Sequence, residues 1–230
     1  MRIYWRKKAA LPYLCAAVMT FIVTIFQLVS YYSGTAESVS LFADTFHAGS
    51  DGITLIGTLV LLSLRIERYF EREAYVHRAF TIVNIGLLFV GVGLAAYELY
   101  THAGAAPEPS WMVVVVATIG GAGDLLVWRL LLSVDKYDMP KSLWTNHAAN
   151  LLHIKQDLLQ SWVVVLSGVA IRFSIPYVDT VLGTLITFLI FWEGVGLLYE
   201  EVVGRRFPLH FHLFGGTHAH NDRGSCDHHH

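Results

Sequence analysis

Two short stretches of the sequence combine histidine with aspartate at a spacing that suits metal binding. His47 precedes Asp51 by four residues in LFADTFHAGSD, and His153 precedes Asp157 by the same interval in LLHIKQD. Residues four apart share one face of a helix, so each pair would direct an imidazole and a carboxylate to one place. Two facing helices would then supply two nitrogen and two oxygen ligands, a set that suits tetrahedral Zn²⁺.

The charge and the chemical type of these four ligands favour reversible binding. Two carboxylates and two neutral imidazoles balance the charge of a divalent cation, which matters in a low-dielectric interior. No cysteine joins the set, so the site is harder and more labile than a structural, cysteine-rich one. Because the ligands must lose protons to bind a metal, protons and metal compete for them. The pattern therefore indicates a carrier site rather than a structural one.

The elements that must position these ligands are membrane-spanning helices. Hydrophobic residues make up 54% of the chain and charged residues 15%, whereas ordinary globular chains are about a quarter charged. A helix needs roughly 20 apolar residues to cross a bilayer. Six stretches meet this requirement: about 10–32, 38–64, 79–101, 110–133, 145–171 and 178–203. We therefore predict an all-α membrane protein with six transmembrane helices.

The distribution of charge predicts the organisation of the chain. Residues 10–204 form the predicted transmembrane transport domain, between an N-terminal segment (1–9) and a short histidine-rich tail (205–230). Lysines and arginines outside the spans concentrate on one side, and Arg172 alone lies on the other, so both termini are expected in the cytoplasm. The net charge of −2 gives no basic excess for nucleic acid. Two cysteines exclude a disulfide scaffold.

Two longer stretches carry a family resemblance. SVSLFADTFHAGSD and LLHIKQDLLQSWVVVLSG resemble the second-helix and fifth-helix signatures of the cation diffusion facilitators, and the likeness extends over all six spans in order and spacing. The resemblance implies that the transport site consists of His47, Asp51, His153 and Asp157. It also implies that histidine at the first of these positions accompanies a preference for zinc.

The same resemblance implies how the protein works. Members of this family are homodimers that export divalent metal from the cytoplasm in exchange for protons, by alternating access. The expected partners are thus Zn²⁺, protons, the lipid bilayer and a second copy of the chain. Zn²⁺ is the transported substrate, and we expect no organic cofactor. The expected location is a bacterial cytoplasmic (inner) membrane.

The sequence departs from the family pattern in three places. About 25 residues follow Arg205, too few for the ferredoxin-like cytoplasmic domain of most members, so we expect transmembrane contacts to hold the dimer. The loop RIERYFEREAYVHR lacks the common Gly-His-Gly-type metal sequence and keeps only His77. Lys155 and Gln156 replace residues that are usually small or apolar.

Two polar residues near the motifs have two interpretations each. Asp44 shares a helix face with His47, so it could orient that imidazole from behind or line a water-filled mouth. His147 lies nearly two turns before His153 toward the cytoplasm. It could receive incoming metal or lie at the level of the lipid headgroups.

Four other charged residues receive structural predictions. Lys155 is too deep to reach the headgroups easily, so it needs a partner; Asp124 in the fourth span lies at a matching depth. We predict a buried ion pair between Lys155 and Asp124. Glu193 is placed toward a membrane face, where its carboxylate could reach water. Asp179 is predicted to cap the start of the sixth span.

The C-terminal tail is rich in histidine. A flexible histidine tract binds Zn²⁺ without forming a fixed site. We expect weak metal capture by four of its histidines: His210, His212, His218 and His220. The last three, His228 to His230, could be the remnant of a purification tag, and no function is assigned to them.

Two other classes of protein could use the same residues. A non-transporting membrane metal sensor or accessory subunit would keep the site without alternating access. An intramembrane metallohydrolase would use three protein ligands and a bound water, and four available ligands disfavour it. The sequence shows no signalling module, which disfavours a sensor. We therefore interpret the chain as a Zn²⁺ efflux carrier rather than an enzyme.

Overall fold

The computed structural model describes residues 2–66, 70–101, 110–135, 141–175 and 177–203. These ranges contain six α-helices and no strand. The helices are α1 (Arg2–Tyr32), α2 (Val39–Ile66), α3 (Phe70–Thr101), α4 (Met112–Leu132), α5 (Lys141–Arg172) and α6 (Val178–Val203). Each contains an apolar stretch long enough to cross a membrane, from 20 residues in α5 to 27 in α3. The predicted all-α fold with six spans is therefore confirmed.

Three helices begin earlier than the predicted spans. Helices α1, α3 and α5 start at Arg2, Phe70 and Lys141, whereas the apolar pattern predicted starts near residues 10, 79 and 145. Apolar residues mark the part of a helix that lies in hydrocarbon, but backbone hydrogen bonds continue into polar sequence. Hydropathy therefore located the spans, while the full helices are longer.

Two hydrophobic clusters hold the helices together at different depths. One contains Tyr13, Leu62, Leu131 and Ile154, so it joins α1, α2, α4 and α5. The other is built around buried side chains that include Leu41, Val116, Val164 and Ile186. Residues 47–51 of α2 separate the two clusters. The predicted metal ligands on α2 thus lie in a polar layer between two apolar ones.

Glycines on α4 allow neighbouring helices to approach it closely. A Cβ atom on Gly120 would lie 2.5 Å from Nε2 of Gln27 on α1, and one on Gly123 would lie 2.7 Å from Cγ2 of Val23. Small residues permit such close contact between transmembrane helices. Helix α4 therefore packs tightly enough against α1 to bring Asp124 into the interior.

Asp179 joins three helices at one end of the bundle. Its carboxylate accepts hydrogen bonds from Oγ of Ser38, Ser40 and Ser167 at 2.7, 2.6 and 2.7 Å, and from the backbone N–H of Val39 at 2.9 Å. The prediction that Asp179 caps α6 is therefore wrong: it caps α2. The first N–H groups of α2 lack partners within their own helix, and packing places them beside this carboxylate.

Candidate metal site

Three of the four predicted ligands lie together. His47 and Asp51 on α2 and Asp157 on α5 offer ligand atoms that are all within 4.8 Å of one another. His47 Nε2 lies 3.0 Å from Asp157 Oδ1 and 4.0 Å from Asp51 Oδ2. All three residues are buried. Ligands of a tetrahedral zinc ion are about 3.3 Å apart, given bond lengths near 2 Å, so small side-chain movements would complete this geometry.

His153, the fourth predicted ligand, contacts a carboxylate on another helix. Its Nδ1 lies 2.8 Å from Oε1 of Glu193 on α6, and Oε2 of the same glutamate lies 3.7 Å from His47 Nε2. Glu193 therefore approaches both imidazoles. The prediction that its carboxylate sits at a membrane face is wrong, because the side chain is turned toward α2 and α5.

Sequence reasoning missed Glu193 as a site residue although a signal was present. An ionisable residue inside an apolar span is expensive and invites a functional hypothesis. Glu193 lies ten residues before the end of the span Val178–Val203, too far inside for its short side chain to reach water easily. The sequence therefore indicates how deep Glu193 lies in the membrane, but not the direction in which its side chain points.

One buried atom in each of three predicted ligands lacks a hydrogen bond of good geometry among the described residues. These atoms are His47 Nδ1, Asp51 Oδ2 and Asp157 Oδ1. Buried polar atoms are nearly always paired, so three such atoms in one place are unusual. The carboxylates would repel each other if all were ionised without a cation. Both features favour a site that takes up a positive ion.

Asp44 does not orient His47 in this structure. Its Oδ2 lies 3.4 Å from Oγ of Ser161 on α5, while His47 Nδ1 lacks a hydrogen-bond partner among the described residues. Ser161 Oγ also donates a hydrogen bond to Oδ2 of Asp124, at 2.8 Å. Asp44 thus belongs to a polar group beside the metal ligands, and the first interpretation of Asp44 is not supported.

The predicted ion pair between Lys155 and Asp124 is not formed. Asp124 is buried and accepts its hydrogen bond from Ser161, whereas Lys155 is exposed on α5. The two residues match in depth, but Lys155 precedes Ser161 by six residues, a rotation of about 240° around the helix. Lys155 therefore lies on a different face of α5 from the one that meets Asp124.

His147 is buried between two helices. It is 1% exposed, and its Nδ1 lies 2.7 Å from the hydroxyl oxygen of Tyr13 on α1. The two rings meet edge to face, with centroids 5.9 Å apart. His147 thus packs α5 against α1, and it precedes the apolar span of α5, which begins at His153. The predicted metal-capturing histidines of the tail, His210 to His220, lie outside the described residues.

Comparison with known protein families identifies the class of protein. The family of the cation efflux transmembrane domain matches residues 13–203, which include the two histidine–aspartate motifs. The chain belongs to this family. Its members are transporters and not enzymes, so the protein is an integral membrane transporter for metal cation efflux, and the metallohydrolase alternative is set aside. Comparison with curated proteins gave no match.

Proposed function

We propose that the protein is a Zn²⁺ carrier that moves zinc out of the cytoplasm in exchange for protons. The proposed transport site consists of His47, Asp51, His153 and Asp157, with Glu193 positioning one of the histidines. One observation carries this proposal. Ligand atoms of three buried residues, contributed by α2 and α5, lie within 4.8 Å of one another.

The ligand chemistry supports zinc as the substrate. Imidazole nitrogens together with carboxylate oxygens suit Zn²⁺ and related transition metals, whereas Mg²⁺ and Ca²⁺ prefer oxygen ligands alone. His47 presents its Nε2 to both aspartates. An imidazole at this position therefore favours the binding of Zn²⁺ over that of the harder ions Mg²⁺ and Ca²⁺.

Glu193 supports the role of His153 as the fourth ligand. A metal-binding histidine usually donates its second ring N–H to a carboxylate, which sets the tautomer and the ring orientation. The contact between His153 Nδ1 and Glu193 has this form, and it leaves Nε2 with its lone pair for the metal. Glu193 is thus a positioning residue, which acts on zinc through His153.

Proton exchange follows from the composition of the site. Metal binding requires deprotonated ligands, so zinc entry displaces protons and zinc release allows their return. Closely spaced carboxylates repel each other when the metal leaves, which makes proton uptake favourable at that moment. The proposed orientation, with both termini in the cytoplasm, is supported by the distribution of lysine and arginine. We further propose that two copies associate through transmembrane contacts.

Zinc transport by purified protein in liposomes tests this function. The vesicles hold a zinc-sensitive dye and a pH-sensitive dye, and a pH gradient is imposed. We expect zinc flux accompanied by proton flux in the opposite direction, and flux at background for Asp157→Ala. Asp135→Ala is the matched control because Asp135 is an exposed aspartate beyond the end of α4. Zinc binding without flux would contradict the carrier and favour a sensor, while zinc flux with no proton movement would contradict the exchange.

A further inference from the structure

Four polar side chains from four helices meet in the interior beside the transport site. They are Gln27 on α1, Asp44 on α2, Asp124 on α4 and Ser161 on α5, with exposed fractions of 1%, 3%, 9% and 1%. Ser161 Oγ lies 2.8 Å from Asp124 Oδ2 and 3.4 Å from Asp44 Oδ2. The proposed transport mechanism uses none of these four residues.

Gln27 adds a buried acceptor to the two carboxylates. Its Nε2 lies 2.5 Å from the point where a Cβ on Gly120 would lie, and Ser161 Oγ lies 4.0 Å from the same point. The amide nitrogen of Gln27 and the hydroxyl oxygen of Ser161 are therefore at most 6.5 Å apart, on either side of the position a Cβ on Gly120 would take. Its Oε1 is buried without a hydrogen-bond partner among the described residues. Such an atom is unusual in a protein interior.

The two aspartates share one serine hydroxyl as a hydrogen-bond donor. A serine hydroxyl carries a single proton, so Ser161 can donate to only one of them at a time. Among the described residues, no lysine or arginine forms an ion pair with Asp44 or Asp124. Buried charges require compensation, all the more so within a membrane. We propose that Gln27, Asp44, Asp124 and Ser161 form a second binding site for a divalent cation.

The ligand set defines what this second site would bind. It offers carboxylate, hydroxyl and amide oxygens and no imidazole, so it is harder than the transport site. It should therefore bind Zn²⁺ less tightly than the transport site does and accept Mn²⁺ as well. Weak binding of this kind suits a site that a cation occupies transiently during transport.

The position of the second site suggests its role. Asp44 lies three residues before His47 and Ser161 four residues after Asp157, which displaces the site by about 5 Å along the bundle. The displacement is toward the start of α2 and the end of α5, the side opposite the one where lysines and arginines concentrate. The site would therefore receive zinc after it leaves the transport ligands toward the outside. This relay role rests on the proposed function, whereas cation binding does not.

Binding of Mn²⁺ and Zn²⁺ to the full-length protein in detergent tests the proposal. The double variant D51A/D157A disables the transport site. We expect it to retain one weakly bound Mn²⁺ per chain, measured by equilibrium dialysis and by the electron paramagnetic resonance signal of bound Mn²⁺. Zn²⁺ held by the tail histidines is not counted, because imidazoles favour Zn²⁺ over Mn²⁺. Adding D124N should reduce the affinity of this remaining site at least tenfold, because an anionic ligand is lost. Adding D135N instead, which removes an exposed charge, should leave the affinity unchanged.

A second variant guards against failure of D124N to fold. Gln27→Met keeps the length of the side chain but removes the amide oxygen, so it should weaken the remaining site several-fold. The proposal is overturned if D51A/D157A binds no Mn²⁺, or if neither D124N nor Q27M changes the affinity for Mn²⁺. Failure of the proposed function looks different: wild-type protein would show no zinc flux in liposomes, while D51A/D157A would still bind its weaker cation.

Discussion

The imidazole of His153 and the carboxylate of Glu193 are 2.8 Å apart, which joins α5 to α6 at the depth of the proposed transport site. Neither histidine–aspartate motif lies on α6, yet this helix contributes a charged group that approaches both motif histidines. The proposed zinc site therefore depends on the relative position of three helices, α2, α5 and α6, and not on the two motif helices alone.

Replacement of Glu193 should weaken zinc binding. Carboxylates that orient metal-binding histidines typically contribute 10-fold to 100-fold to metal affinity, so we expect a loss of about that size in Glu193→Ala. The zinc affinity of Glu193→Gln should lie between those of Glu193→Ala and wild type. Its amide oxygen can still accept a hydrogen bond from His153 but carries no charge. Equilibrium zinc binding to purified protein measures both effects.

Glu201 provides the matched control on the same helix. It pairs with Arg78, whose side chain is 67% exposed, and a pair of this kind contributes little to stability. Glu201→Gln should therefore bind zinc as wild type does. Equal affinities for Glu193→Ala and Glu201→Gln would show that Glu193 does not position His153.

Replacing His47 by aspartate should change metal selectivity more than it changes transport rate. The substitution keeps a ligand but exchanges nitrogen for oxygen, which favours harder ions. We expect Mn²⁺ to compete with zinc flux at lower concentrations in His47→Asp than in wild type. Competition curves in liposomes measure this shift. An unchanged curve would mean that the imidazole of His47 does not select zinc.

Loss of Asp179 should destabilise the protein. Its carboxylate accepts hydrogen bonds from three serine hydroxyls and from a backbone N–H of α2. Without the carboxylate, each of these buried donors loses its acceptor, which costs about 1–3 kcal/mol of stability per donor. Asp179→Ala should therefore clearly lower the unfolding temperature in detergent. Thr184→Val is the control, since Thr184 is exposed on α6 and bonds only to the carbonyl of Thr180 among the described residues. Similar unfolding temperatures in the two variants would contradict the capping role.

Removal of the histidine-rich tail should affect affinity rather than maximal flux. If His210, His212, His218 and His220 capture cytoplasmic zinc, truncation after Leu209 lowers its local concentration. The zinc concentration for half-maximal transport should then rise while the maximal rate stays near wild type. Loss of all flux in correctly inserted protein would instead show that the tail is needed for the structure.

Sequence patterns predicted depth along the membrane better than direction around a helix. Hydropathy located the six spans, and the four-residue spacing placed His47 and Asp51 on one face of α2. The failures share a cause. Asp124 and Lys155 match in depth but face different neighbours, and Glu193 turns inward instead of toward a membrane face. Side-chain direction depends on which helices pack together, and close contacts such as that of Gly120 with Gln27 set this packing through three-dimensional shape.

The hydrogen bonds of Asp179 attach the Val39 end of α2 to α5 and α6. A rigid α2 that tilts about Val39 moves each residue in proportion to its distance from that point. Asp51 lies about 18 Å from Val39 and Ile66 about 40 Å, at 1.5 Å per residue. A tilt of about 5° would therefore shift Asp51 by about 1.5 Å and Ile66 by about 3.5 Å. The first movement is enough to break a metal–oxygen bond, and the second is enough to widen an entrance. A lever of this kind would couple movement at the proposed metal site to a larger movement at the opposite end of the helix.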